Sequence, residues 1–473
     1  DTLYVYLTGD PDGPTGDDEV GDSVTAFENI VLMDSPFGNT ATALDLGADF
    51  DDAATGLKNF TIDASALDLL DGAVLTVDAS DVAADATGFK KITFTGGAGP
   101  DSLIAGNNAD TINMGGGNDT VVGTAGANVI SLGDGVDSVT AGSGIENIDA
   151  GAGNDTINIG ANLTALDTID GGDGTDILTS TGNIASATIL GGVSNVETLT
   201  PTGDADAITL GANVSMTNFN LVDADDQDLT FTIGYTDDAY ITVGGTARDD
   251  IVNYASAATA ANNNLTIYGT GADLTGTTVT AGTGTDTLLI GQAAADATVA
   301  LGSTVTGVEN FTVTDTTLSN TADVDITITS YATAATWDAT AMDAAEDVTL
   351  NLTGATAAQV LKGGEGNDAI TGGTLNDTIH GNGGVDAING GTGLDNIDGG
   401  AGNDAITAST EAAFSSTLGT DTVDGGLGTD SLTFSAAATL ATTETTNISN
   451  IEVLALTTGS TLTVNDAFLA ANP

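Results

Sequence analysis

The sequence predicts an all-β protein built as a solenoid of short, stacked coils. Three observations support this fold class. Nine-residue units repeat in tandem in two parts of the chain, each unit carries one aliphatic residue at the same place, and the intervening regions alternate apolar and polar side chains. Because period-two alternation and short turn-then-apolar units are typical of strands, both kinds of region are expected to stack as β coils.

The second array shows the repeating unit most clearly. Residues 363–407 read GGEGNDAIT, GGTLNDTIH, GNGGVDAIN, GGTGLDNID and GGAGNDAIT without a gap. The Gly-rich first half permits positive φ and a close approach of backbone carbonyls, so each unit is expected to turn and then form a very short strand. The aliphatic residue at position eight is expected to point inward and stack on its equivalents. In this array these residues are Ile370, Ile379, Ile388, Ile397 and Ile406.

Position six of each unit carries an acid. After an eight-residue insertion the array resumes at residues 416–424 and 425–433. Carboxylates on strands about 4.8 Å apart repel each other by roughly 3 kcal/mol per pair at an effective dielectric constant near 20. No basic residue relieves this repulsion, since Lys362 lies just outside the block. A hard cation with oxygen ligands is therefore predicted, and Ca²⁺ fits a flexible carboxylate cage better than Mg²⁺. A solvated acidic linker is the alternative, but linkers do not keep an aliphatic residue in phase over five units.

Residues 96–179 form a more degenerate array with a three-residue insertion after residue 158. Asn128 and Glu146 replace the position-six Asp, whereas the inward aliphatic residue is never lost. The fold is therefore expected to be better preserved than the metal sites, with calcium weak or missing near Asn128. The inward residues are Leu103, Ile112, Val121, Ile130, Val139, Ile148, Ile157, Ile169 and Leu178.

The unit GGxGxDxUx resembles the calcium-binding nonapeptide of the repeats-in-toxin (RTX) family. The resemblance implies a right-handed parallel β-roll in which two nonapeptides make one coil. Alternate units then stack on the same side, and their turns hold several Ca²⁺ ions through backbone carbonyls and the position-six carboxylates. Isolated echoes at residues 244–252 and 281–289 add two weaker candidates. The implied metal ligands are Asp101, Asp110, Asp119, Asp137, Asp155, Asp167, Asp176, Asp249, Asp286, Asp368, Asp377, Asp386, Asp395, Asp404, Asp421 and Asp430.

A looser repeat fills the rest of the chain with irregular β-helical segments. Similar stretches at residues 27–32, 57–62 and 89–94 alternate apolar and polar side chains, and the pattern returns in segments such as Val308-Glu309-Asn310-Phe311. Most acids of these segments are expected to be solvated or to cap turns. The chain therefore divides into residues 1–95 (β-rich solenoid segment), 96–179 (first array), 180–362 (irregular Thr-rich β-solenoid segment), 363–433 (second array) and 434–473 (terminal coils and a cap).

The charge balance restricts the partners. The chain has 67 acidic and five basic residues, a formal net charge of −62 and no Cys. Nucleic acid and bare anionic membranes are excluded, because phosphate binding needs clustered Lys and Arg. A protein adapted to high salt would also be strongly acidic, but such adaptation does not predict acids at one position of a nonapeptide. Two clusters of acids in loops could be additional calcium sites or ordinary surface acidity. The first cluster is Asp10, Asp12, Asp17 and Asp18, and the second is Asp223, Asp225, Asp226 and Asp228.

Catalytic signatures are missing from the sequence. With a single histidine, His380, no HExxH motif exists, and no GxSxG motif is present, so an enzyme is not expected. There is also no run of about eighteen apolar residues that would predict a transmembrane helix. Because the chain begins at Asp1 without Met, we expect a fragment or a processed product.

Two arrays alternating with long Thr-rich β regions resemble surface-layer proteins of Gram-negative bacteria exported by type I secretion. That resemblance implies a secreted protein that assembles with copies of itself into a calcium-dependent lattice. It also implies attachment to a cell-surface glycolipid or polysaccharide, through a region not evident in this sequence. The alternatives are a calcium-stiffened RTX adhesin, an extracellular matrix or sheath fibre, and the secretion-and-folding tail of a larger toxin or enzyme.

Overall fold

A computed structural model of the chain describes most of both arrays and many of the strands around them. The described residues are 2–6, 29–33, 42–45, 59–66, 74–80, 91–123, 125–182, 184, 188–202, 208–210, 216–223, 228–231, 239–245, 251–253, 265–270, 278–281, 285–291, 297–301, 305–314, 323–328, 330–408, 421–434, 439–440, 447–455, 461–462 and 466–472.

The chain forms two compact units, Asp1–Asn220 and Leu221–Pro473, each of which contains one array. Every strand pairing among the described residues is parallel, and the strands stack as the coils of a β-solenoid. The helices of the described part are the 3₁₀ turn Ile189–Gly192 and the α-helix Asp466–Ala471, and no helix there is long and apolar enough to cross a membrane. The predicted all-β solenoid is confirmed, while its right-handed winding, which the family resemblance implies, stays a prediction.

Two parallel sheets build the first unit, and an isolated bridge from Ile184 to Ile208 adds the strand Ile208–Leu210. The first sheet contains, in order, Thr2–Tyr6, Asn29–Met33, Asn59–Asp63, Lys91–Thr95, Thr111–Asn113, Val129–Asp134, Asn147–Ala152, Thr168–Asp170 and Val193–Ser194. The second contains Thr42–Asp45, Leu75–Asp78, Asp101–Ile104, Thr120–Val122, Ser138–Thr140, Thr156–Gly160, Ile177–Ser180, Thr198–Pro201 and the strand Asn218–Asp223, of which residues 218–220 belong to this unit.

The second unit repeats this arrangement with two long sheets and two shorter ones. The first sheet contains Ala297–Leu301, Val324–Ile328, Val348–Asn351, Ala369–Thr371, Ala387–Asn389, Ala405–Ala408, Ser431–Phe434 and Val453–Ala455. The second contains Ala239–Gly245, Leu265–Thr270, Thr287–Gly291, Asn310–Thr314, Thr336–Asp338, Val360–Lys362, Thr378–His380, Asn396–Asp398, Thr422–Asp424 and Ile448–Ser449. The shorter sheets contain Asp228–Phe231, Ile251–Asn253, Thr278–Thr280 and Val305–Thr306, and Thr439–Leu440 with Thr461–Leu462.

The register confirms that two nonapeptides make one coil. Ile370 pairs with Ile388 and Ile388 with Ile406, each 18 residues on, while Ile379 pairs with Ile397 in the other sheet. All the position-eight residues of both arrays are at most 1% exposed. Each coil thus contributes at least two inward aliphatic side chains, which form a continuous core along each array.

The looser repeat also stacks in parallel. Ile30 pairs with Ile62 and Ile62 with Phe94, and all three side chains are buried. The stretches at residues 57–62 and 89–94 pair in the register that aligns their similar sequences. The stretch at residues 27–32 is shifted by two residues from that register where it pairs with residues 57–62. A shift of two leaves each side chain on its original face, so the core is preserved.

A layer of aromatic side chains precedes the second array. The rings of Phe311 and Trp337 stack with centroids 3.7 Å apart and planes 7° from parallel, and Tyr331 packs against both edge-on. In the same sheet Trp337 pairs with Leu361, and Leu361 pairs with Ile379 of the array. The inward stack of the array therefore continues directly from this aromatic layer.

Candidate metal centre

The position-six carboxylates of each array form hydrogen-bonded columns. The backbone N–H of Asp101 donates to Oδ1 of Asp119 at 2.7 Å, the N–H of Asp119 donates to Oδ1 of Asp137 at 2.7 Å, and that of Asp137 donates to Oδ1 of Asp155 at 2.8 Å. The second array repeats the contact, for instance from Asp377 to Asp395 at 2.9 Å. The period-two geometry of the strand turns these acids inward, because position six lies two residues before the buried position eight.

In many units the second carboxylate oxygen is left without a partner. These Oδ2 atoms are buried and have no hydrogen-bond donor among the described residues. An orphaned buried carboxylate oxygen costs free energy unless a cation or a proton reaches it. The aspartates concerned are Asp119, Asp137, Asp155, Asp176, Asp386, Asp404, Asp421 and Asp430, and Oε1 of Glu146 in the first array is orphaned in the same way.

A distinct backbone conformation accompanies these orphaned oxygens. We call a turn open when its position-two residue has positive φ, as Gly133 does at 107° in the turn that leads to Asp137. Open turns lead to seven of the nine orphaned array acids, whereas the turn before Glu146 is not open and the turn before Asp421 lies outside the described residues. Asp395 also follows an open turn. The position-two residues of the open turns are Gly115, Gly133, Gly151, Gly172, Asn382, Gly391, Gly400 and Gly426.

The open turns stack so closely that most of their glycines have no room for a side chain. A Cβ added at Gly135 would lie 1.6 Å from the carbonyl oxygen of Gly117 and 3.0 Å from Oδ1 of Asp137. One at Gly402 would lie 1.4 Å from the carbonyl oxygen of Gly384. Carbonyl and carboxylate oxygens of successive coils therefore converge on the same narrow space.

A second kind of turn satisfies its own acid. In a closed turn the position-two residue does not take positive φ, and its N–H donates to Oδ2 of the acid four residues later. Gly97 donates to Asp101 at 2.9 Å and Gly106 to Asp110 at 3.0 Å. In the second array the closed turns are those of Asp368, which accepts from Gly364, and Asp377, which accepts from Gly373.

Burial shifts the acids toward their protonated forms. Burial, together with a smaller contribution from neighbouring carboxylates, raises the pKa of Asp119, Asp386 and Asp395 to about 7. In the closed turns the glycine N–H offsets part of this effect, and burial raises the pKa of Asp101 and Asp368 to about 6. A nearby cation would favour the charged form of each acid.

The open turns fit calcium. They present carboxylate and carbonyl oxygens without a competing N–H, which is the donor set that Ca²⁺ prefers. No group of three or more His, Cys, Asp or Glu side chains converges among the described residues. Bound calcium would supply positive charge to the stacked carboxylates, while the chain's own residues set the spacing of the coils.

The remaining sequence-predicted ligands have different surroundings. Oδ1 of Asp167 accepts from the N–H of Glu146 at 2.7 Å, and its Oδ2 accepts from the N–H of Thr164 at 2.6 Å. The N–H of Asp286 donates to Oε2 of Glu309 at 2.9 Å, so Asp286 belongs to a column outside the two arrays. Asp249 lies outside the described residues, as do Asp10, Asp12, Asp17, Asp18, Asp225 and Asp226, and the side chains of Asp223 and Asp228.

Sequence reasoning missed the glutamates that extend the columns. The N–H of Asp176 donates to Oε2 of Glu197 at 2.8 Å, and the N–H of Asp430 donates to Oε2 of Glu452 at 2.8 Å. Most acids of this looser repeat were expected to be solvated or to cap turns, and Glu452 is exposed, but the column contacts of Glu197, Glu452 and Glu309 were not foreseen. The shared pattern Val/Ile-Ser-Asn-Val/Ile-Glu was the available signal, and its Asn195 and Asn450 have positive φ.

Other acids of the looser repeat do cap turns as expected. Asp63, Asp78 and Asp338 each accept a hydrogen bond from the backbone N–H two residues later. His380 lies on the outer face of its strand, 3.6 Å from Asp398, as expected for an ordinary coil residue.

Comparison with known families agrees with this geometry. The sequence model of the RTX calcium-binding nonapeptide repeat matches residues 93–121, 114–145, 140–161, 166–182, 353–386, 362–397, 380–410 and 417–433. No curated protein matches the chain. Repeats of this family are typical of secreted proteins, and they form structural calcium-binding arrangements that are not typically enzymatic. The two arrays of this chain are therefore RTX calcium-binding nonapeptide repeats.

Proposed function

We propose that this chain is a secreted structural protein that assembles with copies of itself into a calcium-dependent bacterial surface layer. The observation that carries the proposal is the set of orphaned, buried carboxylate oxygens in both arrays of a chain with net charge −62. Such a chain needs divalent cations to form its coils, because binding energy present only in the folded state is folding energy.

The same charge governs contact between copies. Like-charged surfaces within a Debye length of about 10 Å repel each other at 0.1 M salt, so close packing requires neutralisation of the outer acids as well. Calcium then acts in the arrays and again between subunits. Attachment to a cell-surface glycolipid or polysaccharide belongs to the proposal and has its own test, which is binding of the chain to purified surface polysaccharide.

Negative-stain microscopy of the full chain tests assembly. Ordered sheets of identical subunits are expected in millimolar calcium. The sheets should disperse when calcium is chelated and should form again when calcium is restored. Isolated rods that persist in calcium would instead favour the adhesin or sheath-fibre alternative. Concentrated sodium chloride is the control, and ordered sheets in salt and chelator together would refute the calcium mechanism.

A further inference from the structure

The two arrays differ in the distribution of open turns. In the first array the open turns precede Asp119, Asp137, Asp155 and Asp176, which all belong to one column. In the second array open turns occur in both columns. They precede Asp386, Asp404 and Asp430 on one side and Asp395 on the other.

Protein groups take the place of calcium at Asp110, in the opposite column of the first array. Oδ1 of Asp110 accepts from the N–H of Ile92 at 2.8 Å and its Oδ2 accepts from Gly106, so both oxygens are used. The next position-six residue is Asn128, whose Oδ1 accepts from the N–H of Asp110. A neutral amide in this position removes the charge that a cation would neutralise.

The last two acids of this column, Glu146 and Asp167, also lack open turns. Glu146 accepts from the N–H of Asn128 through Oε2, while its Oε1 is buried without a donor among the described residues. Its turn is nevertheless not open, because neither Gly142 nor Gly144 takes positive φ. Both oxygens of Asp167 are used, by Glu146 and by Thr164. The column is therefore continuous in hydrogen bonds, but it contains no open turn among its described residues.

Each array also begins without an open turn. The four closed turns, before Asp101, Asp110, Asp368 and Asp377, are the first on each side of each array. They place a backbone N–H against the oxygen that a cation would need. Because Ca²⁺ binds oxygen atoms and is repelled by N–H dipoles, the hydrogen-bonded glycine and the ion compete for one position.

Gln359 shows the same substitution one coil before Asp377. Its Oε1 accepts from the indole N–H of Trp337 at 3.0 Å and from the N–H of Ala335 at 3.2 Å. Its Nε2 donates to the carbonyl oxygens of Thr333 and Ala357, each at 2.9 Å. The buried amide thus holds two backbone carbonyls together by hydrogen bonds, and it needs no ion.

We propose that calcium binds only at the open turns, so that the first array carries ions along one side and every column starts with a metal-free turn. The sequence already predicts weak or missing calcium near Asn128. It does not predict metal-free turns before Asp101, Asp110, Asp368 and Asp377, because these turns carry the same nonapeptide spacing as the others. The inference rests on calcium binding by the arrays and not on assembly into a surface layer. Its test counts ions on dispersed protein, so failure of the lattice proposal leaves it standing.

Two matched pairs of variants of the full chain test the distribution. Asp119→Asn and Asp386→Asn change open-turn acids, whereas Asp110→Asn and Asp368→Asn change closed-turn acids, and all four acids are at most 1% exposed. Equilibrium dialysis against ⁴⁵Ca²⁺ should show at least one ion fewer per chain for the open-turn variants. The closed-turn variants should keep the ion count of the unaltered protein, with circular dichroism verifying that each variant is folded.

An equal loss of calcium in Asp110→Asn and Asp119→Asn would overturn the proposal. If a variant does not fold, the unaltered protein still gives the answer through crystals grown with Tb³⁺ in place of Ca²⁺. Anomalous peaks are expected beside the open turns alone. A peak beside Asp110, Asn128 or Glu146 would contradict one-sided binding.

Discussion

Asp119 and Asp137 are linked by a 2.7 Å hydrogen bond from the N–H of Asp119 to Oδ1 of Asp137, while Oδ2 of Asp137 is buried without a donor among the described residues. The two oxygens of one carboxylate thus have separate roles. Oδ1 closes the backbone of the preceding coil, and Oδ2 faces the space that a cation would fill.

Replacing Asp137 separates these roles. Asp137→Asn keeps the Oδ1 acceptor and removes the charge, so it should raise the calcium concentration needed for folding. In chelator at pH 7.5 it should retain at least as much β-structure as the unaltered protein. Asp137→Ala also leaves the buried N–H of Asp119 unpaired, which costs about 1–3 kcal/mol, and should lose structure in both conditions. Circular dichroism during calcium titration measures these effects, and identical behaviour of the two variants would refute the division of roles.

Acid should partly replace calcium. Burial raises the pKa of Asp119, Asp386 and Asp395 to about 7 in the folded state, against an ordinary value of about 4 in the unfolded chain. The folded state therefore binds more protons between these values, and the stability of the metal-free protein falls as the pH rises through this window. In chelator we expect more β-structure at pH 5.5 than at pH 7.5, and recovery at pH 7.5 when calcium is added. A metal-free protein that is more stable at pH 7.5 than at pH 5.5 would contradict this prediction, because its stability would then rise with pH.

The space at the open turns can be tested with glycine substitutions. At Gly135 φ is positive, and a Cβ would meet the Gly117 carbonyl at 1.6 Å, whereas at Gly116 the nearest atom would be 3.8 Å away. Gly135→Ala should therefore abolish calcium-dependent folding of the first array, and Gly116→Ala should be tolerated. Hydrogen exchange on peptides from residues 114–158 would report the difference. Equal tolerance of both substitutions would show that the coils can separate.

The core prediction concerns the second array. Ile388 is 1% exposed between Ile370 and Ile406, whereas Val385 in the turn before it is 52% exposed. Ile388→Ala should lower the free energy of unfolding in calcium by about 2–5 kcal/mol, because it leaves a cavity between stacked coils. Val385→Ala should change it by less than about 0.5 kcal/mol. Urea denaturation in saturating calcium compares them, and a similar cost for both would argue against the stacked core.

The sequence by itself determined the coil, its core and the chemistry of the site. The nine-residue period placed Ile370, Ile388 and Ile406 in one inward stack, since a period-two strand after a glycine turn can bury only one set of side chains. Position six followed from the same count, and the repetition of carboxylates there pointed to a cation with oxygen ligands. These features are local or periodic, so they are visible without the fold.

Only the tertiary structure decided which turns are open. The turn GGEGND, which ends at Asp368, is closed, whereas the turn GGAGND, which ends at Asp404, is open. The two turns differ at only one residue. An open turn packs its position-two residue on a carbonyl of the preceding nonapeptide turn, as Gly400 does on Asn382. The turn before Asp368 follows an irregular coil, where Gly364 lies against Met342. Its glycine N–H therefore turns to its own aspartate, because the stacked neighbour that would hold the open conformation is missing.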